Sequence, residues 1–346
     1  MIDRNDSASL EDEATPLKVR LVGLEEHIVI PDVLAAWKGL DPILQDFAVI
    51  PASEGKMARQ LADLGDRRLA DMSETGLDVQ VLSMTTPGVQ SLDADAAVNL
   101  QQVTNELVAE AVRARPDQYQ GLATLATPAP EKAAKELERG VTELGLDGAM
   151  LFGRTRDENI DAPRFWPIFE AAAALRAPLY LHPQTPSPSV REAYYSGLGA
   201  AGVALGTHRL GWHYETGVQL LRLIIAGVFD RFPDLQVVVG HWGESVLFYL
   251  ERLAPIAAIA GLERPLVDYF RTNIWLTPSG MFSQRYLQWA IDLVGVDRIM
   301  FATDYPFEFA PSGGARRFLQ EADLSDTDRR NIASGNWERL RAGIRR

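Results

Sequence analysis

The sequence predicts an α/β fold, a (β/α)8 TIM barrel with long insertions after strands 1 and 5. Three observations carry this. Eight short apolar runs alternate with segments of helical periodicity, which closes most simply as a barrel, although an open doubly wound sheet gives a similar pattern. The runs are continuous rather than alternating, as suits a parallel sheet buried on both faces. Several runs also end in a polar residue, and the carboxyl ends of the strands are where a barrel keeps its chemistry. The 346 residues fit one barrel of about 250 residues plus insertions.

Taken in order, strands are expected over 19–26, 77–84, 120–125, 147–153, 177–183, 235–241, 272–279 and 297–304. Helices fall between them, with apolar residues three and four apart over Leu100 to Ala114, Ala133 to Leu144, Phe165 to Leu175 and Gly217 to Phe229. Residues 1–17 are polar and acidic and read as a flexible N-terminal tail, leaving 18–346 as the barrel domain. They lack the cationic start and apolar core of a signal peptide. The connections 28–76 and 184–216 exceed ordinary loop lengths, and long insertions on this side of a barrel build pockets and lids.

Composition narrows the function classes. The formal charge of −13 argues against a nucleic-acid surface, which needs a basic field. No apolar run approaches the ~18 residues that would cross a membrane. With no cysteine, a metal would have to be held by nitrogen and oxygen, and the chain is compatible with the cytoplasm.

The ends of the runs supply such ligands. In Leu24-Glu25-Glu26-His27, strand alternation puts Glu25 and His27 on one face and Glu26 on the other. His182 ends Leu179-Tyr180-Leu181, His241 ends Val237-Val238-Val239-Gly240, and Asp304 ends Ile299-Met300-Phe301-Ala302-Thr303. Any one of these could be a satisfied core histidine or a turn former. Three of only five histidines at the ends of separate apolar runs point instead to one metal site.

These motifs, with Gly240-His241-Trp242-Gly243-Glu244 and Ala302-Thr303-Asp304-Tyr305-Pro306, resemble the metal-dependent decarboxylase branch of the amidohydrolase superfamily, over roughly residues 19 to 340. The likeness extends to γ-resorcylate, 2,3-dihydroxybenzoate and 5-carboxyvanillate decarboxylases. It implies one divalent ion, zinc or manganese, bound by Glu25, His182 and Asp304, with His27 a fourth ligand in the resorcylate-like members. It also implies a catalytic His241 held by Glu244, an Arg252 that meets the substrate, and a cytoplasmic homodimer or homotetramer acting on a small aromatic acid.

The chemistry explains the residue types. Direct decarboxylation would leave an aryl carbanion, so the easier route protonates the ring carbon and then releases carbon dioxide, with Asp304 as the acid. A mononuclear hydrolase, such as a lactonase or amidohydrolase, would use the same aspartate as base. A binuclear hydrolase often has a bridging lysine after the fourth strand, but all five lysines precede that strand. A metal-stabilised scaffold would need no proton donor. Trp212, His213 and Tyr214 read as lid packing with one of them lining the site, Met84, Thr85 and Thr86 as pocket residues, and His208 as surface. Trp242 is expected to narrow the pocket. Arg59 and Lys56 offer no match to the arginine that holds a second carboxylate in carboxyvanillate-type members.

Overall fold

A computed structural model describes residues 19–346. The tail expected over 1–17 lies outside the described residues. The first strand, Val22–Ile28, pairs in parallel with Val79–Met84, which pairs with Tyr119–Gly121. The third barrel strand is interrupted at Leu122 and resumes as Ala123–Thr124. From there the parallel order runs through Ala149–Phe152, Leu179–His182, Val237–Val239 and Ile274–Leu276. The helices between them include Ala94–Ala114, Pro130–Thr142, Trp166–Leu175 and Gly211–Ile225.

The eighth run departs from expectation. Residues 297–304 form no regular strand and pair through isolated bridges, Leu276 with Ile299 and Glu26 with Tyr305. These still carry hydrogen bonds around the ring: Met300 N–H donates to Leu276 O at 2.8 Å, and Leu24 N–H to Phe301 O at 3.0 Å. The barrel therefore closes through a segment too irregular to count as a strand. The helix expected over Gly217 to Phe229 begins earlier, at Gly211, and is broken at Gly227, whose φ of 75° lies in the left-handed region that glycine adopts freely.

Inside the barrel, Val22, Leu24, Val79, Val81, Met150, Tyr180, Val238 and Met300 pack together, while the opposite strand faces meet the surrounding helices. The first strand carries a register shift between Gly23 and Glu26. A bulge re-aims side chains, and here it lets Leu24 fill the interior while Glu25 and His27, further along, face the same axis. Glu26 points outward to Thr303 and Gln80. Gly23 stands beneath it, where a Cβ would come within 2.2 Å of Glu26 Oε1.

Candidate active site

At the carboxyl ends of the strands, Glu25, His27, His182 and Asp304 present ligand atoms that all lie within 4.8 Å of one another. His182 Nε2 is 3.0 Å and His27 Nε2 3.9 Å from Glu25 Oε1, and His27 Nε2 is 3.2 Å from Asp304 Oδ1. Glu25 Oε1, His27 Nε2 and Asp304 Oδ1 are buried without a hydrogen-bond partner. Native proteins rarely leave buried polar atoms unpaired, and these three face one another. A divalent cation fits the group: two imidazoles and two carboxylates form the hard, nitrogen-and-oxygen donor set that zinc or manganese accepts.

The opposite edges of the ligands are anchored. Tyr180 OH donates to Glu25 Oε2 at 2.5 Å, and Ser279 Oγ donates to the same oxygen. Thr277 Oγ1 lies 2.7 Å from the phenol. His182 Nδ1 meets the Pro183 carbonyl at 2.8 Å, which turns Nε2 toward the cluster. Gly240 is needed for closeness, since a Cβ there would stand 2.7 Å from Ser279 Oγ and 3.0 Å from Glu25 Oε2. Strand alternation could have pointed to Tyr180, two residues before His182. Ser279 and Thr277 lie at the end of the seventh run, and their short polar side chains gave no comparable signal.

A second group adjoins the first. His241 Nε2 is 3.6 Å from Asp304 Oδ2, and its Nδ1 donates to Glu244 Oε1 at 2.8 Å. The turn that carries them is strained, with positive φ at His241, Trp242, Glu244 and Ser245, and Asp304 shares this at φ 61°. Burial works to raise the Glu25 carboxyl, but His241, His182 and His27 outweigh it and hold it well below the usual carboxylate range. Burial likewise opposes the shifts of Asp304 and His241. Asp304 is nevertheless lowered by the neighbouring His241 and His27 rings, and His241 is raised well above an ordinary imidazole by Glu244, Glu25 and Asp304. The pair therefore holds its proton on His241.

Other expected residues fall elsewhere. Arg252 is exposed in the last turn of the helix Val246–Leu253 and makes no hydrogen bond or ion pair among the described residues. The Trp242 indole does not narrow the pocket: its Nε1–H donates to Met281 O and the ring packs near Phe318, within the core outside the strands. Met84, Thr85 and Thr86 are buried, and Thr86 Oγ1 meets Asp46 at 3.4 Å. His208 is exposed, as expected, and stacks on Phe47 from the first insertion. Between the two insertions lies a cavity of about 680 Å³ whose walls include Ile43, Phe47, Ile50, Arg191 and Tyr195, but none of the four clustered ligands.

A closed parallel barrel with a buried two-histidine, two-carboxylate cluster at its strand ends defines a class, the barrel enzymes built for mononuclear metal chemistry. The amidohydrolase family model matches residues 37–340, and the chain belongs to that family. It is 35% identical to γ-resorcylate decarboxylase of Polaromonas sp. strain JS666 over 332 residues, covering 92% of this chain and 97% of the relative. Among solved structures it is similar to 5-carboxyvanillate decarboxylase of Novosphingobium aromaticivorans complexed with manganese and 4-hydroxy-3-methoxy-5-nitrobenzoic acid, with a TM-score of 0.86, 30% identity and coverage of 94% and 96% of the two chains. A Polaromonas dihydroxybenzoic acid decarboxylase with bound manganese and 2-nitroresorcinol gives a TM-score of 0.81 at 33% identity, covering 94% and 97%.

Proposed function

We propose that this protein is a metal-dependent, non-oxidative decarboxylase of an ortho-hydroxylated aromatic carboxylic acid. The single observation that carries the reading is the double engagement of Asp304. Its Oδ1 faces the ligand cluster and its Oδ2 faces His241, so one carboxylate joins the metal-holding group to a held proton. Manganese in the related decarboxylases supports the same use of this cluster.

Glu25, His27, His182 and Asp304 would hold one divalent ion, zinc or manganese. When bound, such an ion supplies Lewis-acid pairing for a carboxylate and its neighbouring phenolate. The residues supply the rest. Tyr180 and Ser279 fix Glu25, and Glu244 fixes the His241 ring so that its Nε2 addresses Asp304. The proton passes from His241 to Asp304 and from Asp304 to the ring carbon that bears the carboxylate. The carbon–carbon bond then breaks, its electron pair restores the aromatic ring, and carbon dioxide leaves. Arg252, exposed on the helix Val246–Leu253, is kept in this reading as the residue that meets the substrate.

The reading extends to a homodimer or homotetramer, supported by the exposed Phe248, Tyr249 and Ile259. The reading also takes a cytoplasmic location, with which a chain free of cysteine is compatible, and no described helix is long and apolar enough to cross a membrane. The test is a panel of hydroxybenzoates followed by absorbance and carbon dioxide release, before chelation, after it, and after return of zinc or manganese. The expected result is loss of an ortho-hydroxybenzoate that stops on chelation and resumes with one ion per chain. Full turnover in fully chelated protein would overturn the reading.

A further inference from the structure

Glu244 is completely buried and serves two histidines. Its Oε1 accepts from His241 Nδ1, and its Oε2 accepts from His213 Nδ1 at 2.9 Å, with the two rings 4.3 Å apart between centroids. His213 stands in the first turn of the helix Gly211–Ile225, within the second insertion. Its own Nε2 lies 3.3 Å from the His208 carbonyl, so the ring is tied on both edges. Four residues on, and therefore on the same helix face, Gly217 lies against the same turn. A Cβ at Gly217 would come within 2.4 Å of the Glu244 carbonyl oxygen. The helix is thus seated on the 241–244 turn in a register that brings His213 to the carboxylate.

We propose that His213 is a positioning residue: by occupying Oε2 it locks the Glu244 carboxylate in the one orientation that holds His241 Nε2 toward Asp304. Without it, Oε2 is a buried acceptor with no partner, and the carboxylate turns to find one. This ties the second insertion directly to the proton-holding residue. The kinetic readout rests on the decarboxylase reading, and the spectroscopic one does not.

Two variants test it, His213→Ala, which removes the donor, and His213→Asn, whose amide nitrogen takes the place of Nδ1. In the zinc-loaded full chain labelled with ¹⁵N-histidine, wild type should show two imidazole Nδ1–H signals hydrogen-bonded to carboxylate. His213→Ala should lose one and shift the other, that of His241, while His213→Asn should keep the His241 signal in place. On the best hydroxybenzoate, His213→Ala should lower kcat about tenfold, the scale of one charge-assisted hydrogen bond, with KM unchanged, and His213→Asn should restore most of it. An unmoved His241 signal in His213→Ala, or a change confined to KM, would overturn the proposal. Wild type inactive on every hydroxybenzoate would strike the decarboxylase reading alone and leave the imidazole signals to decide.

Discussion

Asp304 has to serve as ligand and acid at once, and its surroundings explain how. The carboxyl is held below its ordinary value, against burial, by His241 and His27, so on its own it would be a poor proton donor. Pairing with His241, which sits well above an ordinary imidazole, keeps a proton within reach. Asp304→Asn keeps the size and one oxygen but can neither accept nor pass that proton. It should therefore cut kcat by about 10²–10⁴-fold, the span of general acid catalysis, while elemental analysis still finds metal in the protein. Wild-type kcat in this variant would remove Asp304 from the proton path. At this scale much of the site was legible: Glu25, His27, His182, His241 and Asp304 end apolar runs, and Glu244 follows His241 by three residues. His213 was read mainly as packing because its carboxylate partner is 31 residues away, and no spacing rule joins a helix to a turn across that distance.

Among the elements, the first strand is the one whose irregularity matters. Simple alternation placed Glu25 and His27 together correctly but missed the bulge that allows Leu24 inside as well. The same geometry sends Glu26 into a dry space between Thr303, Gln80 and Arg68. Burial there pushes its carboxyl up to about 8, against hydrogen bonds from Thr303 and the charge of Arg68. A carboxyl raised in the folded state binds its proton more tightly folded than unfolded. Its contribution to stability is therefore full below the unfolded value of 4.5 and is lost as pH rises through about 8. Wild type should lose Tm between about pH 5 and 8 relative to Glu26→Gln, which cannot ionise. Parallel Tm profiles for the two proteins would mean that Glu26 does not titrate in this range. The eighth run was the least legible element, because Asp304 at positive φ and the bridge from Tyr305 to Glu26 break the strand at the residues the site needs.

For the whole molecule, barrel closure and site assembly are one event. Asp304 reaches Glu25 and His27 only because the segment around 299–305 hydrogen-bonds to both the seventh and the first strand. The insertions were visible as excess length, but their contacts, such as Phe47 on His208 and His213 on Glu244, join segments distant in sequence and depend on tertiary packing. The proposed decarboxylation turns on a proton moving from this assembly to a ring carbon, and solvent hydrogen reports that movement. With the best hydroxybenzoate turned over in deuterium oxide, mass and NMR analysis of the product should find one deuterium at the carbon that lost the carboxylate. Product with only protium at that carbon, or oxygen-18 from labelled water in a cleaved ester or amide, would contradict it and make Asp304 the base of a hydrolase.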